Sequence, residues 1–328
     1  MKKTIYLYKS GTLSRKDNSL VLIKNNSIDY IPIEQIDLII CFSEITLNKR
    51  VLALLNINKV VLLFYNFYGN YIGRFTPKKY SDGKILLNQV NAYNDIDKRL
   101  YIAKQIMISS SRNMLAFLKY YNKKDFNFEF KIEMIESTIN ELKKSNKIDS
   151  LMLIEAKIKQ IYYSSFDIIL KNSEFKFNKR TIRPPKNEVN AMMSYGYSIL
   201  YGHYLSVLDR SSLNPQISFV HSLSKSTDAL QYDLADILKP VIVDRLIIRL
   251  IRKRQIKKEY FDYSKDRCFL NKEGALFFVE EFDKQLKNCV FLNNKSYSYK
   301  SLISREVHIL SNYLKGKSKS YKPYIMSW

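Results

Sequence analysis

Four side chains in this 328-residue chain have the types and spacing for divalent-cation chemistry: Glu155, His221, Asp233 and Asp236. Asp233 and Asp236 stand three residues apart in Leu230-Gln231-Tyr232-Asp233-Leu234-Ala235-Asp236, which puts both carboxylates on one face of a helix and Leu230, Leu234, Ile237 and Leu238 on the other. Two like charges so placed repel unless a cation stands near them. That cation is either a metal ion or a basic side chain such as Lys239 or Arg245. His221 ends the apolar run 217–220 and reads either as a hydrogen-bonded core residue or as an imidazole ligand. Glu155 interrupts the apolar stretch 151–163, either to pair with Lys159 one turn later or to project inward as a third ligand. Imidazole with carboxylates suits Mg2+ or Mn2+, whose open positions a substrate phosphate would complete.

The elements that must hold these residues divide into two patterns. Up to about residue 77 the chain alternates short β-branched and aromatic runs with turn signals: 4–8, 20–23, 27–31, 38–42, 60–65 and 71–75. Residues 48–56 interrupt them with apolar spacing for a short helix covering the sheet. Ser81-Asp82-Gly83 marks a break, and beyond residue 86 the period is helical over 99–121, 132–147, 150–170, 187–208, 230–254 and 273–287. Asp149 or Ser150 is a candidate cap for one helix, and Pro184-Pro185 before Asn187 reads as the entry to another. The expected fold is α+β: a small β-strand-rich N-terminal domain (1–80), a linker (81–85) and a larger all-helical catalytic C-terminal domain (86–328). Residues 172–180 read as a polar surface connection, with Phe175 and Phe177 placed to pin it to the body.

Composition narrows the partners. Lys and Arg number 54 against 31 Asp and Glu, a net charge of +23 that favours a polyanion, nucleic acid before a membrane surface. The densest basic cluster, 245–258, is either a solvated helix end complementing the helix dipole or a phosphate-contacting edge. On the second reading Lys225, Lys239, Arg245, Arg249 and Arg252 are DNA-binding candidates. Three cysteines at spacings that fit neither a zinc site nor a disulfide framework point to a reducing compartment. No apolar run approaches the ~20 residues of a membrane span. With no export signal read at the start, the expected location is cytoplasmic.

In order and spacing, several short motifs resemble the CRISPR-associated adaptation integrase, the Cas-one family. They are Gly73-Arg74-Phe75, Arg99-Leu100-Tyr101-Ile102-Ala103-Lys104, Glu155-Ala156, Pro184-Pro185-Lys186-Asn187-Glu188-Val189-Asn190-Ala191 with Ser194-Tyr195-Gly196-Tyr197, Phe219-Val220-His221, and Asp233-Leu234-Ala235-Asp236 through Lys239-Pro240 and Val243-Asp244-Arg245. The resemblance implies Glu155, His221 and Asp236 as metal ligands for Mg2+ or Mn2+, with Asp233, Tyr162 and Asn190 supporting the site. It also implies insertion of short DNA spacers into a CRISPR array by attack of a 3′ hydroxyl on a phosphodiester. The implied partners are double-stranded DNA, a second copy of the chain, and a Cas-two protein in a heterohexameric complex. Two departures stand out: Ala156 replaces the family's glycine, and Asp236 stands where many relatives carry glutamate. Two rival readings use the same residues: a metal-dependent nuclease acting on branched DNA in repair, and a non-catalytic DNA-binding scaffold whose acidic cluster forms structural salt bridges.

Overall fold

The computed structural model describes residues 2–25, 27–78, 82–124, 126–171, 173–221, 223 and 228–326. Two four-stranded sheets form first. In one, β1 (Lys3–Leu7), β5 (Ile36–Cys41) and β7 (Val61–Tyr65) run parallel, and β8 (Tyr71–Phe75) closes the edge antiparallel. In the other the order is β4 (Ser27–Ile31), β3 (Ser19–Lys24), β2 (Gly11–Lys16) and β6 (Ile45–Leu47). The continuous apolar runs of β5 and β7 are what a strand buried on both faces requires. Ile39, Cys41 and Leu62 enter a small core with the second sheet and α1 (Lys49–Asn58), while Leu38, Ile40, Val61, Leu63 and Tyr65 enter the large helical core. α1 starts where expected, its first N–H groups held by the Asn48 side chain.

The helical body comprises α2 (Gly83–Asn94), α3 (Ile96–Asn122), α4 (Glu129–Lys144), α5 (Ile148–Tyr163), α6 (Phe166–Ile169), α7 (Glu188–Arg210), α8 (Leu230–Leu238), α9 (Arg245–Arg252), α10 (Lys272–Lys287) and α11 (Tyr299–Leu314). The turn-prone residues expected to be a linker instead start a helix: the Asp82 side chain caps α2, and Ile85 is already in the core. The single helix expected over 150–170 breaks after Tyr163, and α5 begins at Ile148, ahead of both candidate caps, with no side-chain cap of its own. The helix expected over 230–254 is interrupted by a π-helical turn, Lys239–Asp244. Proline supplies no N–H, so Pro240 cannot continue the i to i−4 ladder. The body is also not all-helical: hairpins β9 (Phe261–Ser264) with β10 (Arg267–Leu270) and β11 (Cys289–Leu292) with β12 (Lys295–Ser298) flank α10.

α7 is the axis of the body, buried around almost its whole circumference and capped by Asn187. It lies close against the strands: Tyr65 donates to the Ser198 carbonyl at 3.1 Å, and Ser198 Oγ donates to the Gly69 carbonyl at 2.6 Å. A Cβ on Gly202 would overlap the Tyr65 hydroxyl, so only glycine permits that approach. Phe175 and Phe177 are buried and pin the described part of the 172–180 connection, residues 173–180, as expected. No helix among the described residues is long and apolar enough to cross a membrane.

Candidate active site

Asp233 and Asp236 leave α8 in different directions. The Asp233 carboxylate, 1% exposed, accepts the backbone N–H groups of Phe219 at 2.6 Å, Val220 at 3.0 Å and His221 at 3.2 Å, and bonds His221 Nδ1 at 2.6 Å. It therefore folds the 218–221 loop around itself. Burial alone would lower the His221 pKa, but the bond to Asp233 and its charge outweigh burial and raise it. In the neutral ring with Nδ1–H donating to Asp233, Nε2 is the nitrogen that carries the lone pair.

Asp236 turns toward α5. Its carboxylate contacts Lys159 Nζ at 3.3 Å and is also paired with Lys239. Lys159 in turn reaches Glu155 at 2.8 Å, so Glu155 and Asp236, from two helices, share one ammonium. Burial pushes both acids toward the neutral form. At Asp236 the two lysines reverse that and hold the carboxyl well below its ordinary range; at Glu155 burial prevails and the pKa is raised. Of the basic side chains, Lys239 pairs with Asp236 alone and Lys159 bridges it to Glu155, while Asp233 keeps to His221. Among the described residues no three His, Cys, Asp or Glu side chains are gathered closely enough to hold a metal ion. The donor types nonetheless suit a hard divalent ion, since two carboxylates already converge on one cation and His221 has a nitrogen to offer.

Asp236 and Lys159 open on a cleft of about 680 Å³ lined also by Lys239, Arg180, Arg183, Asp244, Tyr163, Tyr197, Tyr201 and Tyr232. Asp244, eight residues after Asp236, is 1% exposed and accepts hydrogen bonds from Tyr162 at 2.9 Å and Tyr197 at 2.6 Å. Burial pushes its carboxyl up to about 6, against the opposing pull of the two phenols. Tyr162, expected to support the site, is fully buried and packed edge-on against Phe117, so it serves Asp244 and the core, not a bound strand. Asn190 neither touches the acids nor caps α7. Its carbonyl oxygen accepts from Arg180 at 3.0 Å and the Thr181 N–H at 2.9 Å, and its amide donates to the Lys179 carbonyl at 2.8 Å. It supports the site through the segment that presents Arg180.

The basic helix is otherwise engaged. Arg245 donates to Tyr299, Arg249 pairs with Glu281 at 2.9 Å, and Arg252 lies over the Tyr121 and Phe126 rings. None of the three lines the cleft. α9 buries Leu246, Ile247, Ile248, Leu250 and Ile251. Lys239 does line the cleft, bound to Asp236 and set over the Tyr197 and Tyr201 rings. Lys225 lies outside the described residues. Sequence reasoning passed over Arg180 and Arg183 as cleft cations; the signal was their place just before the Pro184-Pro185 entry to the buried α7.

A strand-rich region thus packs its first sheet on a helical body, beside a tyrosine-lined cleft that carries Lys159, Lys239, Arg180 and Arg183 with Asp236 and Asp244. Residues 5–284 match the family model described as CRISPR associated protein Cas1. The chain is 34% identical to the CRISPR-associated endonuclease Cas1 2 of Thermodesulfovibrio yellowstonii over the whole of both chains. It is 34% identical to the CRISPR-associated endonuclease Cas1 of Thermotoga maritima, over 96% of this chain and 98% of that one. The solved structure of a Cas1 protein from Thermotoga maritima superposes with a TM-score of 0.87 at 33% identity, covering 99% of this chain and all of the other. A casposase bound to integration product shares the fold at a TM-score of 0.85 and 21% identity, covering 99% of this chain and 94% of that one. A chain of a Cas6-RT-Cas1–Cas2 complex does so at 0.84 and 22%, covering all of this chain and 36% of that one. The chain belongs to the Cas1 family.

Proposed function

We propose that this chain is a metal-dependent DNA integrase and endonuclease of CRISPR adaptation, inserting spacers by attack of a 3′ hydroxyl on a phosphodiester. The observation that carries the reading is the convergence of Glu155 and Asp236 on one cation, at the end of a cleft whose other charges are mainly basic. In this reading Glu155, Asp236 and His221 Nε2 hold Mg2+ or Mn2+. The bound ion would polarise the phosphoryl group and favour the alkoxide. Asp233 fixes the His221 ring so that Nε2 faces outward, as a carboxylate does behind a metal-bound histidine. Lys159, which the two carboxylates share, would with the ion bound be free to serve beside Arg180 and Arg183 as a phosphate contact. The tyrosines offer faces for unpaired bases.

Double-stranded DNA, a second copy of the chain and a Cas2 protein are the proposed partners, assembled as a heterohexamer; the similar solved structures include a Cas6-RT-Cas1–Cas2 complex and a TtCas1–DNA complex. The test is integration of a short duplex into a supercoiled plasmid bearing the array, with Cas2 and Mg2+ or Mn2+. His221→Ala and Asp236→Ala are each expected to reduce strand transfer at least ~100-fold while DNA binding persists. Wild-type strand transfer in either variant, or activity that survives complete chelation, defeats the assignment. Cleavage of branched DNA without strand transfer would favour the repair nuclease.

A further inference from the structure

The backbone of Asp236 is held as deliberately as its carboxylate. Pro240 has no N–H, so the carbonyl of Asp236, four residues earlier, loses its α-helical donor, and the π turn that follows disturbs the next carbonyl as well. Both carbonyls find donors on α3. Ser110 Oγ donates to the Asp236 carbonyl at 2.8 Å, and Asn113 Nδ2 to the Ile237 carbonyl at 2.7 Å. Ser110 and Asn113 stand three residues apart, hence on one face, and both are fully buried. Asn113 has two further attachments: its amide also donates to the Tyr324 carbonyl at 3.1 Å, and its Oδ1 accepts the Met326 N–H at 2.7 Å. A flipped amide would set oxygen against two carbonyls and NH2 against an N–H, so the 321–326 segment permits one orientation. That segment is itself fixed, by Ser109 on the Tyr324 carbonyl, by Glu306 accepting the Tyr324 N–H at 3.2 Å, and by Arg245 on Met326 Sδ at 3.7 Å.

We propose that Ser110 and Asn113 are positioning residues for Asp236, and that the 321–326 segment locks Asn113 in its donating orientation. An aspartate has one methylene between backbone and carboxylate, so it cannot absorb a shift of its own Cα as a glutamate can. Displacement of α8 at Asp236 therefore reaches the carboxylate undiminished. The inference rests on the reading of Asp236 as a metal ligand, and the experiment separates the two.

Ser110→Thr and Ser110→Val have nearly the same shape, and only threonine keeps the hydroxyl donor. Full-length chain with duplex bound is titrated with Mn2+ by electron paramagnetic resonance, and strand transfer is measured in parallel. The valine variant is expected to lose about tenfold or more in Mn2+ affinity and in turnover, with KM for DNA unchanged, while the threonine variant stays within about threefold of wild type. Equal Mn2+ affinity and turnover in the two variants overturns the positioning role. A second arm removes residues 323–328 and adds back a peptide spanning 319–328. Loss of Mn2+ affinity on truncation, restored by the peptide, supports the locking segment; a truncated chain that binds Mn2+ as wild type does overturns it. Mn2+ affinity that His221→Ala leaves unaltered defeats the metal reading and the positioning role together, whereas His221 dependence with equal Thr and Val variants defeats the positioning role alone.

Discussion

Asp236 and Asp244 are two buried carboxylates eight residues apart, lining one cleft, yet they sit on opposite sides of their ordinary titration range. Burial drives both upward. Asp236 faces two ammonium groups, which supply a compensating charge; Asp244 faces two phenol hydroxyls, which supply hydrogen bonds and no charge. Neighbours, not depth, decide which acid is ionised. The cleft thus has one pole with a charge that a cation can exchange into and one pole whose charge state depends on pH.

The largest way to break the contrast is Lys159→Met, which strands Glu155 and Asp236 without the ammonium they share. Urea unfolding at pH 7 is expected to show a loss of about 3 kcal/mol, since breaking a buried pair leaves uncompensated charge. The loss should shrink near pH 4 as the acids take up protons. Next is Asp244→Asn. A carboxyl whose folded pKa is raised stabilises the protein below its unfolded value and loses that contribution as pH rises through the folded value, here between about 4 and about 6. Wild-type stability should therefore carry a downward step of roughly 2–3 kcal/mol across that window, absent from the asparagine variant. Tyr197→Phe removes one of the two bonds to the Asp244 carboxylate, at a cost of about 1 kcal/mol, and should move the step to higher pH, because that bond favours the ionised form. The smallest effect is expected at Arg249→Ala: DNA affinity within about twofold of wild type, because Arg249 is spent on Glu281 outside the cleft.

The acidic pole was legible in the sequence because each of its members breaks a local pattern. Glu155 interrupts an apolar helix, Asp233 and Asp236 crowd like charges, and His221 ends an apolar run. The expected lysine pairs were equally legible, and Glu155–Lys159 and Asp236–Lys239 both formed. Asp244 was not singled out, since one acid between Val243 and Arg245 gives no hint that two tyrosines from distant helices will meet it. Ser110 and Asn113 carried a weaker clue, the polar run Ser109-Ser110-Ser111-Arg112-Asn113 inside a long helix, but its meaning depends on a proline about 130 residues away. The short hairpins and β2 were missed because four to six residues are too few to establish a period, whereas α11 has helical spacing that went unread. The place of the α9 arginines outside the cleft was not legible, because charge density says nothing about which side of a helix meets it.

The glycine at position 202 sets a mechanical limit on the protein. By letting α7 rest on Tyr65, it welds the central sheet to the helical axis, and β5 and β7 insert side chains into both cores. The strand wall and the α7 wall of the cleft must then travel as one rigid piece. The wall that carries Arg180 and Arg183 is held differently, by the side-chain amide of Asn190 and, further along, by the Cys268 N–H on the Pro185 carbonyl. A few hydrogen bonds, where the opposite walls have packed side chains, hold the arginine wall of the cleft in place.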